Sequence, residues 1–280
     1  PQGMLSSESM YNGNVLKYQT TYSYDNRGNR ISMSSIGENV YSHEYTYDLN
    51  NRLTDEHKLI YNENEESPLM LDTVYSYDDN GNLSASYNRS YEPNAYHQNS
   101  LILSMIDEDS STSDVTWYTF NPLNQLISVR TEGMTAEYTY NPDGMRSSKT
   151  VNGVTTRQLW KGMYIIAETD SDGAITDKYV RGLRLLYDEK SDGEKTWHLN
   201  DAHGDTVQLA NNMGEVIWNY SYDAFGNQLD NTSNNGEEPY NPFRYCGEYT
   251  DEETGFVYLR ARYLNTETGR FISEDPIMDG

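Results

Sequence analysis

The chain has a single cysteine, Cys246, in 280 residues, so no internal disulfide framework can hold it together. It has no apolar run approaching the 18 residues of a membrane span. The richest apolar stretches are residues 163–167 (MYIIA) and 101–106 (LILSMI). No signal peptide opens it, and it starts mid-pattern at Pro1, as a fragment of a longer protein would. It is poor in positive charge, with 20 Lys and Arg against 44 Asp and Glu and a net charge of −24. That balance argues against nucleic acid or an anionic membrane surface as a partner, because phosphate would be repelled. Long apolar 3.6-residue periodicity is missing, which excludes a helical core. Gly-rich phosphate loops of the GxGxxG and GxxxxGK[ST] kinds are also missing.

What fills the chain instead is tyrosine, 26 of them, in a recurring phrase: Tyr-x-Tyr-Asp-x-x-Gly-Asn. It occurs at residues 22–30 (YSYDNRGNR), 45–53 (YTYDLNNRL), 75–83 (YSYDDNGNL) and 220–228 (YSYDAFGNQ). Worn copies lie at 118–126 (YTFNPLNQL) and 138–146 (YTYNPDGMR). Two tyrosines two apart share one face of a strand. The Asx side chain can bond the backbone ahead of it, and Gly accepts positive φ. Each copy therefore predicts strand, tight turn, strand, with a glycine bulge at the turn. Further turns at Asn152-Gly153, Asp172-Gly173, Asp192-Gly193 and Asn212-Met213-Gly214 are flanked by Val, Ile, Thr, Tyr and Trp. The expectation is an all-β array of antiparallel hairpins, with tyrosine walls that are packed yet lined with hydroxyls. Residues 61–72 and 88–114 break the rhythm and read as surface insertions, the second with a short LILSMI strand inside it.

The other chemistry is sparse. DSDG at residues 170–173 and DDNGN at 78–82 lack the distal Glu of a calcium loop and read as hairpin turns. Among His43, His57, His97, His198 and His203, none has a Cys or Glu at a familiar zinc spacing, so no metal or cofactor is expected. Cys246 has no local nucleophile signature and reads as a small core residue.

Residues 242–276 do not repeat: PFRYCGEYTDEETGFVYLRARYLNTETGRFISEDP. This order of motifs, with the Tyr-Asp phrases and the WHLNDAHGDTVQLAN passage at 197–211 before it, closely resembles the core at the end of Rhs repeat proteins. The resemblance covers essentially the whole chain. It implies a division into a repeat array at residues 1–230 and a closing core segment at 231–280. Rhs proteins, the C component of Tc toxins and the teneurins are similar in winding such repeats into a spiralling β-sheet shell. In bacterial members the shell encloses a C-terminal toxin. The resemblance thus implies a structural container, secreted or cell-surface and cell-wall associated. Its partners would be the N-terminal remainder of the shell, the toxin cargo and a delivery machinery.

The resemblance also implies single-turnover autoproteolysis by an aspartyl mechanism, and no multiple-turnover enzyme. The family aspartate of the Asp-Pro after Gly-Arg-Phe is Asp275 here. The arginine of the preceding Arg-Asp pair is Arg262, but Tyr263 stands in place of the aspartate. Glu267, Glu274 and Asp279 are the candidates for a second carboxylate, with nothing in the sequence to choose among them. The alternative function is a cell-surface module that binds carbohydrate or mediates adhesion by stacking glycans on exposed tyrosines.

Overall fold

The computed structural model describes residues 3–38, 40–61, 67–91, 115–229, 232–233 and 238–275. The LILSMI segment, His97 and Asp279 lie outside the described residues. The chain divides into two units, residues 1–118 and 119–280, with the boundary inside the eighth strand.

The first unit is an antiparallel meander. Its strands are β1 (Ser7–Asn12), β2 (Val15–Tyr24), β3 (Arg30–Gly37), β4 (Val40–Tyr47), β5 (Leu53–Tyr61), β6 (Leu69–Tyr77), β7 (Leu83–Tyr91) and β8 (Val115–Phe120). Each pairs with the next in sequence. The second unit continues in the same manner. It holds β9 (Leu126–Arg130), β10 (Thr135–Tyr140), β11 (Arg146–Val151), β12 (Val154–Lys161), β13 (Tyr164–Thr169) and β14 (Ile175–Arg181). Then come β15 (Leu185–Lys190), β16 (Lys195–Asn200), β17 (Thr206–Ala210), β18 (Val216–Asn219) and the two-residue β19 (Thr232–Ser233). A separate small sheet follows, of β20 (Tyr249–Thr250), β21 (Val257–Tyr258), β22 (Tyr263–Asn265) and β23 (Arg270–Phe271). The expected all-β array of antiparallel hairpins is what the structure shows.

The phrase makes its hairpin as its chemistry dictates. Asp25 Oδ1 accepts the backbone N–H of Arg27 and of Asn29, both at 2.8 Å, and Asn29 Nδ2 donates to Asp25 Oδ2 at 2.9 Å. Gly28 takes φ 91°, where a Cβ would be strained, and the β2–β3 register shifts by a bulge between Ser23 and Tyr24. Asp48, Asp78, Asn121, Asn141, Asp170, Asn211 and Asp223 cap their turns with the same pair of bonds. Where the glycine is lost, Asn51 and Asn124 adopt the left-handed conformation, which asparagine tolerates. DSDG and DDNGN are two of these turns, as expected.

The two tyrosines of a phrase do different jobs. The first is buried at Tyr22, Tyr45, Tyr138 and Tyr220. The second reaches back to the first carbonyl after an earlier turn: Tyr47 to Arg30 O at 2.7 Å, Tyr77 to Leu53 O at 2.8 Å, Tyr140 to Leu126 O at 2.7 Å and Tyr222 to Thr206 O at 3.0 Å. Trp160 Nε1 does the same to Arg146 O at 2.6 Å. The hydroxyl thus ties one hairpin to another, a bond that Phe120, in the worn copy at 118–126, cannot make.

The buried face is polar as well as aromatic. In the first unit His43 Nδ1 lies 2.5 Å from Glu56 Oε1, Tyr75 donates to Glu56 Oε2 at 3.0 Å, and Arg30 Nη2 donates to Tyr45 Oη at 3.1 Å. Burial raises the Glu56 pKa, but the His43 bond and charge outweigh it, and the carboxyl ends below its ordinary range.

Candidate functional site

Residues 238–275 lie against the buried face of the second unit, and buried charge joins the two. Arg146, the residue after the turn of β10–β11, occupies the place that leucine fills after other turns, at Leu53, Leu83 and Leu126. It is fully buried. Its Nη1 and Nη2 meet Asp251 Oδ2 and Oδ1 at 2.5 and 2.9 Å, and its Nε donates to Gln158 Oε1 at 3.1 Å. The rings of Tyr138, Tyr249, Tyr258 and Tyr263 surround the guanidinium at 4.5–5.9 Å. Burial alone would lower the arginine pKa; Asp251 outweighs it and holds the group charged.

Lys149 extends the cluster, with Nζ 2.9 Å from Glu253 Oε2 and 3.3 Å from Asp251 Oδ1. Tyr138 donates to Glu253 Oε1 at 2.9 Å. Asp251 and Glu253 are the two acids of the Asp-x-Glu-Thr-Gly motif, so that motif is a docking element. A second buried carboxylate, Glu168 on β13, accepts hydroxyls from Tyr179 and Tyr249 at 2.7 Å and from Tyr240 at 3.1 Å. Backbone bonds complete the seam, with Thr206 N donating to Arg244 O at 3.0 Å and Thr206 Oγ1 to Phe243 O at 2.8 Å.

Close packing fixes the start of the segment. Gly226, in the last phrase, has φ 88°, and a Cβ there would press into the Tyr245 ring, whose hydroxyl donates to Ala224 O at 3.2 Å. Gly226→Ala is expected to cost about 1–3 kcal/mol through backbone strain and displacement of that ring. Chemical denaturation checks it, and an unchanged midpoint would show the ring has room to give.

Arg262 and Asp275 come together: Arg262 Nη2 lies 3.0 Å from Asp275 Oδ2, and the guanidinium stacks on Phe271 at 3.6 Å. Asp275 is half-exposed. Tyr263 is buried, with its hydroxyl 2.9 Å from Tyr140 Oη and accepting from Arg146 Nη1 at 3.3 Å. Burial holds its phenol protonated far above the ordinary range, so it offers no carboxylate-like base. Glu267 and Glu274 are exposed.

Cys246 departs from its expected place in the core. It is exposed, in a 3-10 turn (Tyr245–Gly247), with φ 55°. Beside it stand His203 and Asp205, from the loop between β16 and β17, and the ligand atoms of the three lie within 4.8 Å of one another. A search for local zinc spacing misses this trio because 43 residues separate His203 from Cys246. His198 is buried with Nε2 3.0 Å from Asp188 Oδ1. Among the described residues, no helix is long and apolar enough to cross a membrane.

No family model matches the chain. It is similar to the tRNA nuclease WapA of Bacillus subtilis (strain 168), with 42% identity over 80 residues, 29% of this chain and 3% of that protein. It is also similar to the double-stranded DNA deaminase toxin A of Burkholderia cenocepacia (strain H111), with 33% identity over 78 residues, 28% of this chain and 6% of that protein. The chain thus spans only a small fraction of these relatives' length. Among solved structures, that of TcdB2-TccC3 aligns over 96% of this chain and 17% of that one, at 18% identity and a TM-score of 0.48.

Proposed function

We propose that the chain is the closing part of a repeat-built container that holds and delivers a toxic cargo carried on the same polypeptide. One observation carries this reading: the non-repeating segment of residues 238–275 is locked by buried charge onto the face of the second unit where Tyr138 and Tyr220 are buried. A segment held so firmly suits closure and not catalytic turnover. The division at residue 230/231 is, in this reading, the change from wall to closure. Partial matches to proteins named for two different activities, a tRNA nuclease and a DNA deaminase toxin, support a module separable from the activity it accompanies. Secretion or cell-surface delivery, the upstream shell and a downstream cargo belong to the same proposal. Glycan binding would need rows of exposed phrase tyrosines, and the burial of Tyr22, Tyr45, Tyr138 and Tyr220 gives it no support.

Release would fall to Asp275, positioned by Arg262, cutting the chain downstream of the Asp-Pro. The test uses the natural full-length polypeptide, with and without Asp275→Asn. The cargo is expected to survive protease levels that destroy it when expressed alone; equal loss would end the container reading. Wild type is expected to yield a separate cargo band and Asp275→Asn to keep the cargo joined. Equal fragmentation of the two would remove Asp275 from the chemistry.

A further inference from the structure

We infer that His203, Asp205 and Cys246 form a binding site for one borderline-soft divalent cation of the zinc class, clamping the closing segment to the β16–β17 loop. This stands independently of the container reading, because it rests only on the three side chains and their surroundings.

The local structure brings the three side chains together before any ion arrives. Asp201 Oδ1 accepts the N–H groups of Gly204 and Asp205 at 2.9 and 3.0 Å and so fixes the loop that carries His203 and Asp205. Asp205, buried at its base, accepts the Cys246 backbone N–H at 2.6 Å through Oδ1. The same oxygen lies 3.0 Å from His203 Nδ1. The His203 ring packs on Tyr245, with centroids 5.4 Å apart. Cys246 Sγ then lies 3.9 Å from each of the two imidazole nitrogens.

These separations suit a metal. Zinc bonds of about 2.3 Å to sulfur and about 2.0–2.1 Å to nitrogen place tetrahedral S and N ligands about 3.6 Å apart. The observed 3.9 Å is close to that distance, and because the sulfur is equidistant from both ring nitrogens, the exposed His203 side chain must turn to aim one lone pair at the shared ion. One thiolate, one imidazole nitrogen and one carboxylate oxygen form a mixed donor set that favours zinc-like ions over calcium or magnesium, which take oxygen. Three protein ligands leave a fourth position for water, and the exposure of His203 and Cys246 gives an ion direct access. The surroundings are anionic. Asp201, Asp205 and Glu248 place their carboxylates around the Cys246 thiol. Their negative charge attracts a cation, which must displace the thiol proton. Binding exchanges one for the other: the metal–sulfur bond forms, the S–H bond breaks, and the proton leaves to solvent.

The consequence is mechanical. The loop of residues 201–205 belongs to the array, and Cys246 belongs to the non-repeating segment. An ion between them adds a crosslink at the surface end of a seam otherwise held by buried charge.

The test uses the reduced, metal-free 280-residue chain. Co²⁺ is the spectroscopic probe and Zn²⁺ its competitor. One equivalent of Co²⁺ is expected to produce thiolate-to-cobalt charge transfer together with tetrahedral visible bands, and Zn²⁺ to abolish both. Cys246 is the sole cysteine, so a thiolate band has one source. Cys246→Ser is expected to remove that band, and His203→Ala to weaken binding about tenfold or more. Both residues are exposed, so neither change should disturb folding, and an unchanged denaturation midpoint in metal-free buffer confirms it. Zn²⁺ is expected to slow alkylation of Cys246 in the wild type and not in His203→Ala. Absence of a thiolate band at one equivalent overturns the site. So does equal binding by His203→Ala, which would mark an isolated surface thiol.

Discussion

Asp251→Ala is expected to lower the stability of the second unit by about 3–5 kcal/mol and to loosen residues 238–275 from the sheet. The cost comes from what remains. Arg146 is fully buried, and Asp251 supplies both carboxylate oxygens that meet its guanidinium, at 2.5 and 2.9 Å. Without them a cation sits in a low-dielectric interior with Gln158 Oε1 and four tyrosine rings as its main company. Cation–π contacts are worth about 0.5–2 kcal/mol, too little to replace a desolvated bidentate pair. Lys149 would keep Glu253 but lose its second carboxylate.

The same physics sets the control. A buried ion pair replaced whole by apolar residues of similar volume is often neutral or stabilising. The double variant Arg146→Met with Asp251→Leu is therefore expected to recover most of the loss, apart from the bonds to Gln158 and Tyr263. Denaturant melts of wild type, single and double variants decide it. A single variant within about 1 kcal/mol of wild type would show that water reaches Arg146. A double variant no better than the single would show that the pair is needed for more than charge balance.

That pair marks the limit of what could be read from residue order. The hairpins were legible because their causes are local: an Asx acceptor, a residue able to take positive φ two or three places on, and two tyrosines on one face. Asp25 to Asn29 makes the turn within five residues, directly after Tyr22 and Tyr24, and Asn51 and Asn124 show the same turn made without glycine. The docking seam was not legible because its causes are not local. Arg146, Lys149, Glu168 and Asp251 would each pass for a solvated charge on a strand or turn. They are buried only because a partner from a distant part of the chain neutralises or hydrogen-bonds them, 105 residues away for Arg146 and Asp251. Cys246 was misplaced for a related reason. A lone cysteine is most often core, yet here the chain turns through a left-handed residue and leaves it at the surface. The family resemblance named Arg262 and Asp275 separately, and their contact with each other is visible only in the structure.

Alkaline pH is expected to unfold the second unit cooperatively within one to two units above pH 10, because its core is built from phenols that must stay neutral. Tyr138, Tyr179, Tyr249 and Tyr263 are all buried. Burial raises each of their pKa values far above the ordinary range. The charges of Asp251 and Glu253 add to it at Tyr138, and that of Glu168 adds to it at Tyr179 and Tyr249. At Tyr263 burial outweighs the opposing pull of Arg146. An unfolded tyrosine ionises near pH 10. Below that pH both states hold the proton, and the stabilisation is fully present. Above it the unfolded chain releases protons that the folded chain keeps, so stability falls as pH rises. Each buried tyrosine contributes about 1.4 kcal/mol per pH unit, so four approach the whole stability of an ordinary domain within one to two units. Tyrosinate absorbance from these residues should therefore appear together with the loss of β circular dichroism, as one transition. Absorbance that rises smoothly around pH 10 while the β signal persists would mean the phenols ionise in place and the tyrosine wall is open to water.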